Sequence, residues 1–140
     1  MFIKSSLFKT NYLLKRAMDV ALVRQEVIAD NIANADTPGF KRSKVTFESQ
    51  LKRALESEER MKNCPRAYLT NKKHFAFCKP LDYRQVQPRI VVEYDTSYRN
   101  DKNNVDIEKE MSDAIVNTLR YKALAESLKQ NYRMLALVMR

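Results

Sequence analysis

One glycine in 140 residues leaves the chain a single position where a positive φ costs nothing, so tight turns must be few and long helices are expected. Tryptophan is absent, proline occurs four times, and histidine once. With one histidine, no Gly-rich phosphate loop, no G-x-S-x-G and no H-E-x-x-H, the usual activated nucleophiles and general bases lack partners. Glu108 and Glu110 offer no carboxylate pair, because two residues apart on a helix they point about 200° apart. No enzyme class is indicated, and neither a cofactor nor a small-molecule substrate is expected.

Long apolar runs are also missing. The longest, MLALVM at residues 134–139, is far short of the roughly 20 residues that cross a bilayer. The opening MFIKSSLFKTNYLLKRAMDVALV is broken by Lys4, Lys9, Lys15, Arg16 and Asp19, so no cleavable secretory signal is readable and a soluble chain is expected. Cys64 and Cys78 flank His74, but three ligands without a C-x-x-C pair fall short of structural zinc. No metal site is expected, and the two cysteines read as ordinary thiols.

What is present is charge of uneven placement and two apolar seams. The net charge is +9, yet residues 1–36 carry 5 basic and 4 acidic side chains, residues 37–104 carry 15 and 8, and residues 105–140 carry 6 and 5. The ends are nearly neutral and the middle is basic. Lys41, Arg42, Lys44, Lys52, Arg53 and the cations that follow could track phosphates, with Tyr68, Phe75 and Phe77 stacking bases. Acidic residues at 48, 56, 58 and 59 intersperse that run, so a solvated surface is the plainer reading and a basic nucleic-acid adaptor the alternative.

Leu14, Met18, Ala21, Gln25, Ile28, Ile32 and Ala35 step by four and three, a heptad seam, with Leu13, Ala17, Val20 and Val27 beside it. That stripe is wider than a two-stranded coil needs and predicts several neighbours. Ile107, Met111, Ala114, Thr118, Tyr121, Ala125, Leu128, Tyr132, Leu135 and Met139 repeat the alternation at the other end, with Asn104 or Asp106 available as a cap. The two seams can close on each other or pack against copies in other subunits. A shorter amphipathic helix is predicted from about Val45 to Lys62, and short strands at residues 74–78 and 89–94 between Pro65, Pro80 and Pro88. The expected fold is mainly α: long terminal helices over 1–36 and 105–140 packed as a coiled-coil-like bundle, with a small irregular or β middle arm over 37–104.

The first seam ends in NIANADTPGFKR, residues 31–42. Pro38 biases Thr37 away from helical angles, and Pro38-Gly39 favours a turn with Gly39 at positive φ. Asn31 and Asn34 share a face, where their amides can bond the carbonyls freed at the helix end and the backbone of the turn. One reading makes this a polar cap with no partner role. The other has the turn present Phe40 and Lys41 at a fixed angle to a neighbour.

That run, preceded by RQEVIAD, resembles the signature of bacterial flagellar basal-body rod and hook proteins. TFESQL at 46–51 and NNVDIEKEMSDAIVNTLRYKAL at 103–124 make it most similar to the proximal rod proteins of that family, the FlgB type; the distal rod and hook proteins, which share the terminal helices, are the nearer alternative. The match spans roughly residues 7–55 and 96–140, and Lys102 stands where such proteins often have Gly. The resemblance implies an axial structural protein of the periplasmic rod, exported through the flagellar type III apparatus without a cleaved signal. It implies partners in copies of itself, other rod proteins, and the membrane-ring protein with its rod adaptor, and no nucleic acid. Its subunit-interface residues would then be the signature Asn31, Asn34, Thr37, Pro38, Gly39 and Phe40, with Leu14, Met18, Ala21, Ile28 and Ile32 on the first helix. Ile107, Met111, Tyr121, Leu128, Tyr132 and Leu135 would serve on the last. Such stripes, needing neighbours, predict terminal helices incompletely ordered in the isolated chain.

Overall fold

The helical propensity and the seams of the terminal segments decide the architecture. In a computed structural model, which describes residues 6–64, 71, 81–94 and 100–139, the N-terminal segment is one helix, α1, at Ser6–Ala33. The C-terminal segment is another, α3, at Ile107–Val138. Between them lie a short strand β1 at Ser43–Thr46, a helix α2 at Glu48–Lys62, a 3-10 turn at Tyr83–Gln85 and a strand β2 at Arg89–Val92. The mainly α expectation holds, with the two long helices packed on each other.

The chain divides into two compact units. The first takes residues 1–45 and 90–140. Here α1 and α3 run antiparallel: Asn11 meets Asn131, the Ala21–Gln25 turn meets Asn117, and Asn31 meets Glu110. Val20, Ala21, Val27, Ile28, Ala35, Val45 and Val105 are its buried apolar residues among those described. The two seams close on each other within one chain.

Helix α3 begins where expected, at Asp106, whose carboxylate accepts from the amides of Glu108 and Lys109. Helix α1 stops at Ala33, three residues before the predicted end, because the amides of Ala35 and Thr37 turn to the carbonyls of Ile32 and Asn34. Gly39 has φ +73°, as the Pro-Gly turn requires.

The second unit, residues 46–89, holds α2 and the 3-10 turn packed on it, with the Ser57 hydroxyl accepting from the amide of Leu81. The predicted helix start at Val45 is corrected to Glu48, since Val45 belongs to β1. β1 pairs with β2 in a two-stranded sheet, and β2 covers most of the predicted 89–94 strand. The predicted strand at residues 74–78, His74 and Cys78 lie outside the described residues. Cys64 is disulfide-bonded, which corrects the ordinary thiol expected for it.

Candidate functional site: a polar seam between the terminal helices

Apolar packing alone does not hold α1 to α3. Three polar rungs cross the seam. At one end Asn131 Nδ2 donates to Asn11 Oδ1 at 2.8 Å. In the middle Asn117 Nδ2 donates to the Ala21 carbonyl at 2.8 Å and to Gln25 Oε1 at 3.1 Å. At the signature end Asn31 Nδ2 donates to Glu110 Oε2 at 3.0 Å.

The third rung is the centre of a charged cluster. Glu110 is 0% exposed, and Arg42 grips its second oxygen through Nε. The same guanidinium reaches Asp113 Oδ2 at 2.9 Å and Glu93 Oε2 at 3.4 Å, and Lys44 also pairs with Glu93. Burial works to lower the Arg42 pKa, but the hydrogen bond and charge of Glu110, with Glu93 and Asp113, outweigh it and raise it above the ordinary value. For Glu93 burial works upward, and the bonds and charges of Lys44 and Arg42 outweigh it, holding the carboxyl below its usual 4.5. Removing one member of the buried Arg42–Glu110 pair costs about 3–5 kcal/mol, because the other charge is left uncompensated.

The two signature asparagines have different jobs. Asn34 Nδ2 bonds the Asp30 carbonyl at 2.8 Å, as the helix-end reading predicted. Asn31 does not bond the turn; its amide donates to the Ser43 carbonyl at 2.9 Å and accepts from the Ser43 amide at 3.0 Å. Its carboxamide thus stands in for a neighbouring strand's peptide on the outer edge of β1.

The turn itself is tied to the loop before α3. Asn103, fully buried, donates from Nδ2 to the carbonyls of Asn34, Ala35 and Thr37 at 2.9–3.1 Å. The Gly39 amide donates to the Asp101 carbonyl at 2.9 Å, and Lys41 Nζ to the Lys102 carbonyl at 2.7 Å. Asn104 closes the circle by accepting from the Arg42 amide and donating to the Glu93 carbonyl. Thr37, Pro38 and Gly39 are exposed and Phe40 half-buried, so the turn rim faces solvent over a buried polar floor.

On α1, Ala21 and Ile28 are buried, and Leu14, Met18 and Ile32 half-buried. On α3 the predicted seam is only half of what faces α1. Tyr121, Leu128 and Leu135 are half-buried, but Ile107 is 40%, Met111 56% and Tyr132 49% exposed. The inward positions between them are Glu110, Asn117, Leu124 and Asn131. Met18, Ala125, Leu128, Tyr132 and Ala136 line an open apolar groove beside the seam. Sequence reasoning missed Arg42, Asn103, Glu110 and Asn117. The available signal was Glu110, Asn117 and Asn131 recurring at heptad multiples, polar residues in a column a solvated face would not space so regularly.

This arrangement can fix one helix against another and present the rest of α3 outward; the described residues contain no cluster suited to metal. Residues 12–41 match the model of the "Flagella basal body rod protein" family. The chain is 41% identical over 91% of its length to the flagellar basal body rod protein FlgB of Borrelia hermsii, covering 93% of that protein. It is 37% identical to the Borreliella burgdorferi FlgB, with 89% of this chain and 91% of the relative covered. To the Bacillus subtilis FlgB it is 34% identical, with 90% and 89% covered. On these matches the chain belongs to the flagellar basal-body rod protein family, a structural component of the rod and not an enzyme.

Proposed function

We propose that this protein builds the proximal segment of the flagellar rod, where copies of it pack side by side with other rod proteins and carry torque from the motor toward hook and filament. The observation that carries this is the outer surface of α3. In a rod-family chain whose terminal helices already cover each other on one side, Ile107, Met111, Ile115, Leu119 and Tyr132 remain 40–62% exposed. Covering what remains exposed of each such side chain is worth about 1 kcal/mol, so a row of them favours a packed lattice over a lone hairpin.

Torque crosses subunit boundaries without slip only if each subunit is itself stiff. The polar rungs and the Arg42–Glu110 cluster supply that stiffness across α1 and α3, and the Asn103-bound turn fixes how α1 joins β1. At the rod base the partners are the membrane-ring protein and its adaptor. The subunit reaches the periplasm through the type III export apparatus; among the described residues no helix is long and apolar enough to cross a membrane.

Deleting the gene should abolish filaments and motility, and an averaged image of basal bodies should show this chain's density at the rod base. Filaments that persist in the deletion strain, or density only at the distal rod, would contradict the assignment.

A further inference from the structure

Helix α3 carries two neighbouring columns that compete for the side facing α1. One is Glu110, Asn117, Leu124 and Asn131; the other is Met111, Thr118, Ala125, Tyr132 and Met139. Both flank the shared column Ala114, Tyr121, Leu128 and Leu135. Hydrophobic burial alone favours turning the Met111 column inward. The structure does the reverse. Glu110 and Asn117 are 0% and 3% exposed, while Met111, Tyr132 and Met139 are 56%, 49% and 87% exposed. At 100° per residue, the two choices differ by a rotation of α3 of about 50° around its own axis.

The reversal has a structural cause. Each hydrogen-bonding residue of the inward column meets a group on α1 or just after it: Asn11, the Ala21 carbonyl with Gln25, and Asn31 with Arg42. A rotation would carry Glu110 away from both Arg42 and Asn31 and leave the guanidinium buried without its main anion. The arrangement is not the most stable filling of the seam. Asn117 Oδ1 is buried and has no hydrogen-bond partner among the described residues, a cost that a leucine there would not incur.

We infer that the polar column is a rotational lock: it holds α3 turned so that its more apolar column cannot be consumed inside the subunit. The purpose of the lock rests on the assembly proposed above, in which that column is left for neighbouring rod subunits. The lock itself is a property of the single chain. It explains why the more polar of the two columns faces in, beside an open apolar groove lined by Met18, Ala125 and Tyr132.

The test compares the full-length monomer with a variant carrying Arg42→Met, Glu110→Ala, Asn117→Ala and Asn131→Ala, which removes both charged partners together and leaves the inward column less apolar than the Met111 column. Hydroxyl-radical footprinting reads the oxidation rates of Met111 and Tyr132, with circular dichroism confirming helicity. The lock predicts a several-fold drop at both residues in the variant, as the column rotates inward. Unchanged rates in a helical variant would overturn it. If that variant loses its helices, Asn117→Ala with Asn131→Ala decides at the far end of α3, where those two rungs are the polar contacts nearest Tyr132: slower oxidation of Tyr132 supports the lock, and an unchanged rate defeats it. Cells carrying a rotated variant should lack filaments. Normal filaments on a rotated monomer would sink the assembly reading while leaving the lock in place.

Discussion

Lys102 sits at φ +62°, where an L side chain crowds its own backbone and a glycine does not. Its carbonyl, not its side chain, serves the turn, as the acceptor for Lys41 Nζ. Lys102→Gly relieves the strain and adds some unfolded-state entropy, so the net gain should be about 0.5–1 kcal/mol, seen as a higher thermal midpoint. A lower midpoint would show that the lysine side chain itself holds the loop. Glu93 gives a pH signature. Its folded carboxyl titrates below the ordinary 4.5, so its contribution is complete above that pH and is lost as pH falls through the lower folded value. Acid unfolding of Glu93→Gln should therefore be less steep below about pH 4.5 than that of the parent, and unchanged at neutral slope. Asn34 shows what sequence can reveal at this scale, because its bond to Asp30 is local. Asn31 shows what it cannot, since its partners Ser43 and Glu110 lie 12 and 79 residues away.

Among the elements, the turn after α1 is the one whose chemistry was most readable. Thr37-Pro38-Gly39 demanded a positive φ at Gly39, and the chain has it. A Cβ there would meet nothing within 4 Å, so Gly39→Val acts through backbone strain alone, costing about 1–2 kcal/mol locally. Because that turn is tied to Asp101 and Asn103, the strain should misplace the loop before α3; the variant should be secreted at near-parental levels yet leave cells without filaments. Motile cells would refute this. The existence and length of α1 and α3 were legible because heptad spacing persists over many turns. The face of α3 was not, because spacing rules rank columns by hydrophobicity, and here buried hydrogen bonds to Asn11, Gln25 and Arg42 outrank it. The start of α2 moved for another reason: the helical period begins with Phe47, Leu51 and Ala54, and Val45, two residues before it, is held in the strand pair.

At the largest scale, the unit that holds α1 and α3 is a hairpin of helices that leaves apolar residues of α3 exposed. The far end of α3 is the barest part, with Leu137, Val138 and Met139 72–87% exposed. Incomplete order in the monomer is thus expected to concentrate there: hydrogen exchange should be fastest beyond Met134 and slow around Ile28, Asn31 and Glu110. Uniformly slow exchange along α3 would count against a surface awaiting neighbours. The most direct measurement is photo-crosslinking in living cells, with a light-activated side chain placed at Met111 or Ile115. The account predicts crosslinks to neighbouring rod subunits in cells that build basal bodies, and their loss when rod assembly is blocked. Labels at those two positions that capture only water, in cells with intact flagella, would contradict it.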